Sequence, residues 1–228
     1  MAWSRPNLFS ELHLPSIQRD ETLYSWCTRF HRLNLGHSPR ETSLVLFGHP
    51  QAALRHDIPF SLGEFGQRTN EFLGSPLDIL RQRTVFGLHA KFLPLEDELA
   101  IAALFTKDDN SLGRSQLGLK KAGKLNGQLM HCPDCADSQR YEEGHTWWRL
   151  SHQLPTSFTC DAHGTTLQKF PLQQLRGVAA SFVLPKPSGQ PTETKRVPPA
   201  AMHHLAALTA WGLHIFSTDG PRLTESTC

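Results

Sequence analysis

Cysteine is scarce in this chain, five in 228 residues, and the number is odd. A disulfide framework needs pairs and an oxidising compartment, and nothing here points to either. Residues 1–20 hold no apolar run of the kind that opens a secretory signal. No stretch approaches the ~20 apolar residues that cross a bilayer. With 39% apolar residues and a mean hydropathy of −0.37, the chain reads as a soluble globular protein of the cytoplasm. An excess of one charge is also missing. Lys and Arg number 23 against 21 Asp and Glu, a net of +2, so local clusters must decide whether nucleic acid is a partner. The Gly-rich Walker A loop is absent, which leaves no nucleotide hydrolysis of that kind. There is no Ser/His/Asp or paired-carboxylate motif, and Glu96, Asp97 and Glu98 sit at a helix start, where they serve the dipole. None of the 13 histidines is followed two places later by Glu, so the His-x-Glu element of the zinc deaminases is missing too. These absences argue against an enzyme.

What is present is concentrated. Cys132-Pro133-Asp134-Cys135 is followed by Cys160-Asp161-Ala162-His163. Thiolate and imidazole are strong ligands for zinc, and a two-residue spacer lets both ends of a knuckle reach one ion. Four protein ligands leave no coordination position open for water, so the pattern predicts one structural Zn2+ held by Cys132, Cys135, Cys160 and His163. A redox Cys-x-x-Cys would need a βαβ setting that the flanking sequence does not show. His131, His145 and His152 are spare candidates that the completed set does not require. Cys27 falls on an apolar helical face and reads as core. Trp147 and Trp148, between the knuckles, are expected to wall the metal site and join it to the helices.

The rest reads as mainly α. Residues 1–19 form an apolar arm without helical phase, expected to dock on its own domain or on a partner through Trp3, Leu8 and Phe9. Residues 20–128 form a helical domain. Asp20 reads as the cap of a helix whose face carries Leu23, Trp26, Cys27, Phe30 and Leu33. Ser38-Pro39-Arg40-Glu41 is a capping box that opens a helix ending at Phe47 before Gly48. Ser61-Leu62-Gly63-Glu64 is a second, whose helix is expected to run to about Leu73, with Gly74 as its stop. Ser75-Pro76-Leu77-Asp78 opens a third, ending near Arg83. With only Leu73-Gly74-Ser75 between them, residues 61–83 read as a helix-turn-helix-like element. Its second helix offers Arg81, Gln82 and Arg83 to phosphates and base edges. Residues 84–94 read as semi-extended, and another helix follows over about Leu95–Phe105. Arg114, Lys120, Lys121 and Lys124 form an acid-free, Gly-rich basic segment suited to phosphate contacts, and Arg149 joins this nucleic-acid set. A zinc-ribbon module over 129–184, a Pro-rich linker over 185–198, and a C-terminal helix (about Met202–Phe216) with tail over 199–228 complete the chain.

Four stretches together resemble the TniQ/TnsD family of bacterial transposition proteins. They are residues 15–30 (Pro15, Thr22-Leu23, Ser25-Trp26, Arg29), residues 83–94 (Arg83-Thr84-Val85-Phe86 to Phe92-Leu93-Pro94), Cys132 to Pro155 with Trp148-Arg149 and His152-Gln153-Leu154-Pro155, and Cys160 to Leu167. The resemblance implies a non-enzymatic adaptor. It would link target recognition, by target DNA or by a guide-RNA Cascade or Cas complex, to an AAA+ ATPase of the TnsC/TniB type and so to the transposase. It implies a bacterial cytoplasmic setting and leaves a homodimer open. Many family members carry a second Cys-Pro-x-Cys pair after the His-Gly. Here Lys169-Phe170-Pro171-Leu172 stands in its place, which counts against a second zinc. From the residues alone, a zinc-containing helix-turn-helix transcription regulator is the alternative.

Overall fold

A computed structural model describes residues 12–107, 115–116, 128–170, 182–186 and 198–217. Among these the chain is mainly helical: α1 (Leu23–Leu33), α2 (Pro39–Phe47), α3 (Leu62–Arg68), α4 (Pro76–Arg83), α5 (Phe86–Ala90), α6 (Leu95–Phe105), α7 (Pro133–Glu143) and α8 (Pro199–Phe216), with two 3-10 turns, Ala52–Leu54 and Ser151–Gln153. The described sheet is a single antiparallel pair, β1 (Leu129–His131) against β2 (Gln168–Phe170), in which Met130 faces Lys169.

The expected helix starts are partly realised. Ser38 accepts the Glu41 amide at 3.1 Å, and Gly48 closes α2 in the left-handed region at φ 69°. Ser75 and Asp78 form a full reciprocal capping box at the start of α4. The Ser61 box does not form. Ser61 sits at φ 56° with no side-chain cap, because its amide donates to the Lys107 carbonyl at 2.8 Å beyond the end of α6. Glu64 instead meets Arg68 one turn on, at 2.7 Å. Nor does Asp20 cap α1: Thr22 does, accepting the Ser25 amide at 3.1 Å.

The helix-turn-helix expectation is corrected in the same region. α3 stops at Arg68, well short of Leu73. Thr69 Oγ1 donates back to the Phe65 carbonyl at 2.8 Å, and Asn70 and Glu71 both turn left-handed, which breaks the helical hydrogen-bond ladder. The link from α3 to α4 is therefore Thr69–Ser75 rather than a tight three-residue turn. Residues 86–90, expected to be semi-extended, form the short α5, while α6 keeps its expected limits.

One core unites most of these elements. Trp26, Phe30, Phe47, Phe65, Ile79, Leu80, Phe86 and Phe105 are buried together with Leu129, Trp148, Leu150, Phe182 and Leu184. Side chains from the 129–184 region thus complete the core of the helical region. Of the arm, Leu12, Leu14 and Ile17 lie partly buried against that core, and Pro15 takes the Trp26 indole N–H at 2.7 Å. Trp3, Leu8 and Phe9 fall outside the described residues. Cys27 is fully buried in the core, as its helical face suggests.

α8 contains no Asp, Glu, Lys or Arg. It docks through Thr209, whose hydroxyl takes the amides of Phe158 and Thr159 at 3.0 and 3.3 Å. A methyl group at Gly212 would collide with Thr156, so the missing side chain sets how closely α8 approaches. No helix among the described residues is long and apolar enough to cross a membrane.

Candidate metal centre

The four residues singled out from spacing meet in space. Cys132 caps the N-terminal end of α7, and Cys135 lies in its first turn, with Pro133 at the first helical position. Cys160 and His163 sit on the loop before β2, where the Gly164 amide closes a turn onto the Cys160 carbonyl at 2.8 Å. Pairing of β1 with β2 sets the two loops against each other. The first pair thus leads straight into an eleven-residue helix, so the module is a two-stranded clasp with a helix rather than a ribbon of β-hairpins.

The donor atoms form a tight cluster. Cys135 Sγ is 3.4 Å from Cys160 Sγ. His163 Nδ1 lies 3.6, 3.3 and 3.5 Å from the sulfurs of Cys132, Cys135 and Cys160. One ligand atom from each residue falls within 4.8 Å of every other, so the group could hold a metal ion. The three cysteines are buried and His163 is exposed. Hydrogen bonds from Cys135 and Cys160 hold Cys132 below the ordinary thiol range and raise those two donors above it. Metal binding to such a set needs the thiols deprotonated and would release their protons. A second group, His152, Cys160 and Asp161, shares Cys160 with the first and so offers no independent position.

Around the donors lies a framework that spacing did not reveal. Trp148 is fully buried, its indole N–H donating to the Val183 carbonyl at 2.7 Å and its ring edge-on to His131 and Phe170. The Trp148 amide donates to Ser25 Oγ at 3.0 Å, and Ser25 Oγ donates to Glu21 at 2.9 Å. Glu21 is fully buried against Arg29, 2.6 Å away. Burial nonetheless lifts the Glu21 carboxyl above its usual range, against the pull of Arg29. Gln153 clamps Met130, accepting its amide at 3.0 Å and donating to its carbonyl at 2.8 Å. Asp20 accepts from Ser151 Oγ at 2.5 Å and from Arg149 at 2.9 Å. Asp20 and Ser25 therefore carry roles in the site that a helix-cap reading and a core-face reading miss. The one available signal was the joint presence of Ser25-Trp26 and Trp148-Arg149.

The cations proposed for nucleic acid are distributed unevenly. Arg81 pairs with the fully buried Glu98 at 2.6 Å. Arg83 is half-buried and leans on the Gln18 carbonyl, and burial lowers its pKa. Arg149 is held between Asp20 and Asp161. Gln82 is exposed. Arg114, Lys120, Lys121 and Lys124 lie outside the described residues. Trp147 lies around the same shallow depression as Cys132, Cys135 and Arg149.

Fold and site together define a mainly helical protein completed by a small clasp with a Cys3His cluster that could hold a metal. The TniQ family model matches residues 13–167. The chain belongs to the TniQ family, proteins associated with transposition. Among curated proteins no match is found. The matched span takes in α1, the metal ligands and the Asp20–Arg149 contact between them.

Proposed function

We propose that this chain is a non-enzymatic adaptor in DNA transposition. It carries one structural zinc at Cys132, Cys135, Cys160 and His163 and links target recognition to an AAA+ ATPase of the TnsC/TniB type in the bacterial cytoplasm. The observation that carries the reading is the family match across α1–α6 and the metal clasp as one unit. Zinc suits the donor set. Zn–S of ~2.3 Å and Zn–N of ~2.0 Å in a tetrahedron give donor–donor edges of roughly 3.5–3.8 Å, and the observed sulfur–nitrogen distances of 3.3–3.6 Å lie within a few tenths of that. Three thiolates and one imidazole leave a closed shell, so the metal would supply folding energy rather than catalysis.

The alternative, a helix-turn-helix regulator, is less well supported. Arg81 and Arg83 are engaged by Glu98 and Gln18, and the α3–α4 link is long. The cations left for phosphate are those of the 114–124 segment, which would give contacts without base selection. Recognition of the target, directly or through a guide-RNA complex, is then shared with a partner.

The test has two arms. Anisotropy titration of labelled random and insertion-site duplexes across a salt series should give weak, unselective binding that is lost by ~0.2 M salt. Co-purification with an AAA+ ATPase of the TnsC/TniB type should retain both proteins. Tight, site-selective binding at that salt would make this chain a direct reader of its target, and the same binding with no ATPase retained would replace the adaptor reading with the regulator.

A further inference from the structure

Arg149 is placed unlike any other cation among the described residues. It uses all three guanidinium nitrogens. Nε donates to Asp20 at 2.9 Å, Nη2 to Asp161 at 2.9 Å, and Nη1 to the sulfur of Cys135 at 3.5 Å. Asp161 lies between the ligands Cys160 and His163. Asp20 is the residue from which α1 is hung: its carbonyl takes the Leu150 amide at 2.6 Å, and its carboxylate takes the amide and hydroxyl of Ser151 at 3.0 and 2.5 Å. The adjoining bridge between Glu21 and Arg149 extends the seam, and the Thr22 amide donates to the Trp148 carbonyl at 3.0 Å. One side chain therefore touches Cys135 and the Asp161 loop on one side and, on the other, Asp20, three residues ahead of α1.

The charges explain why it is an arginine. Three thiolates, a neutral imidazole and a divalent ion leave one net negative charge, which a cation beside a sulfur compensates. Two carboxylates and a sulfur in three directions call for a planar fork, which the single ammonium of lysine does not provide. If the metal leaves, no ion ties the Cys160–His163 loop to Cys132 and Cys135, and Asp161 on that loop is freed. The guanidinium then loses two of its three anchors, and Asp20 keeps a partner that is no longer held from the far side.

We propose that Arg149 is a positioning residue that couples metal occupancy to the docking of α1, so that the clasp holds the first helix in place only when loaded. This goes beyond the adaptor reading and needs neither DNA nor the ATPase to test. Zinc affinity is measured on the full chain by competition with a chromogenic chelator, for wild type and for R149Q, R149K and D20N. Peptide-resolved hydrogen exchange of residues 20–33 is followed with zinc and after chelation. R149Q is expected to lose roughly 10–100-fold in zinc affinity. R149K should keep more of that affinity yet exchange faster over residues 20–33. D20N should bind zinc within about 3-fold of wild type while residues 20–33 exchange as fast as in the chelated protein. Wild-type zinc affinity in R149Q would overturn the proposal. So would unchanged protection of residues 20–33 after chelation, or failure of wild type to bind zinc.

Discussion

The core around Trp26 and the cluster around Cys132 are held by different means. The first buries more than twenty apolar residues drawn from α1–α6, from the segments between them, and from Leu129, Trp148, Leu150, Phe182 and Leu184. The second buries Cys132, Cys135, Cys160 and Leu167, with Met130 partly covered. At ~25 cal/mol per Å2 of apolar area the first region has ample surface to fold on, and the second does not. A set of three buried thiols and an imidazole, by contrast, can supply apparent binding energies of ~10–16 kcal/mol when it closes on zinc. The helical region thus has area to fold on, the clasp offers a donor set that could hold a metal, and Trp148 and Arg149 are where the two meet.

The largest effect should separate the regions. Cys132→Ser is expected to reduce bound zinc to background by atomic absorption and to loosen residues 129–170. It should also shift tryptophan emission to the red as Trp148 is uncovered. Far-UV circular dichroism should retain most of its helical signal, since α2–α6 pack on one another and only α1 loosens with the clasp. Stoichiometric zinc in this variant would break the assignment of the ligands.

Trp148→Ala strikes the meeting point. Removing a fully buried aromatic side chain costs about 3–5 kcal/mol, and the variant also abandons the indole bond to Val183. Its denaturation midpoint should fall by more than that of any single aliphatic truncation in α2 or α6. A drop below ~1 kcal/mol would mean that the two regions pack independently.

Acid should act through His152. Burial first, and the neighbouring Arg149 cation next, lower its pKa from 6.5 to about 4. The folded state therefore prefers the neutral ring. Stability from this group is present above pH 6.5 and is lost as pH falls toward 4. His152→Gln should flatten that part of the pH–stability curve, measured by urea denaturation at fixed zinc. An unchanged slope would remove His152 as its origin.

The smallest effect lies far from the clasp. Ser75→Ala removes one half of the reciprocal cap on α4 and should cost ~1 kcal/mol, with no change in zinc content. A loss of metal here would show the helical region controlling the clasp, the reverse of the expected dependence.

How much of this was legible depended on the range of the interaction. The meeting of Cys132, Cys135, Cys160 and His163 was readable because Cys-x-x-Cys and Cys-x-x-His are local patterns suited to a shared ion. Ser38, Ser75 and Gly48 were readable for the same reason: a cap acts within three or four positions. Ser61 and Glu64 carried the same local signature and failed, because the Ser61 amide answers to Lys107 and Gly63 to Thr106 across the fold. The helix-turn-helix reading failed with them, since Thr69, Asn70 and Glu71 end α3 early. Arg81 looked like a DNA reader until Glu98 was found buried beside it.

Composition and short spacing were enough to single out Cys132, Cys135, Cys160 and His163 as one candidate donor set, to give the helical periodicity of α1, α2, α4, α6 and α8, and to show no local catalytic motif. These are properties of composition and short spacing, and nearby residues dictate them. Tertiary structure alone decided which polar groups bind the protein itself and which stay free for others. Asp20 and Arg149 stand far apart in the chain, and no period or spacing connects them. They meet because Trp148 must be buried under α1, and burying it brings the two charges to 2.9 Å.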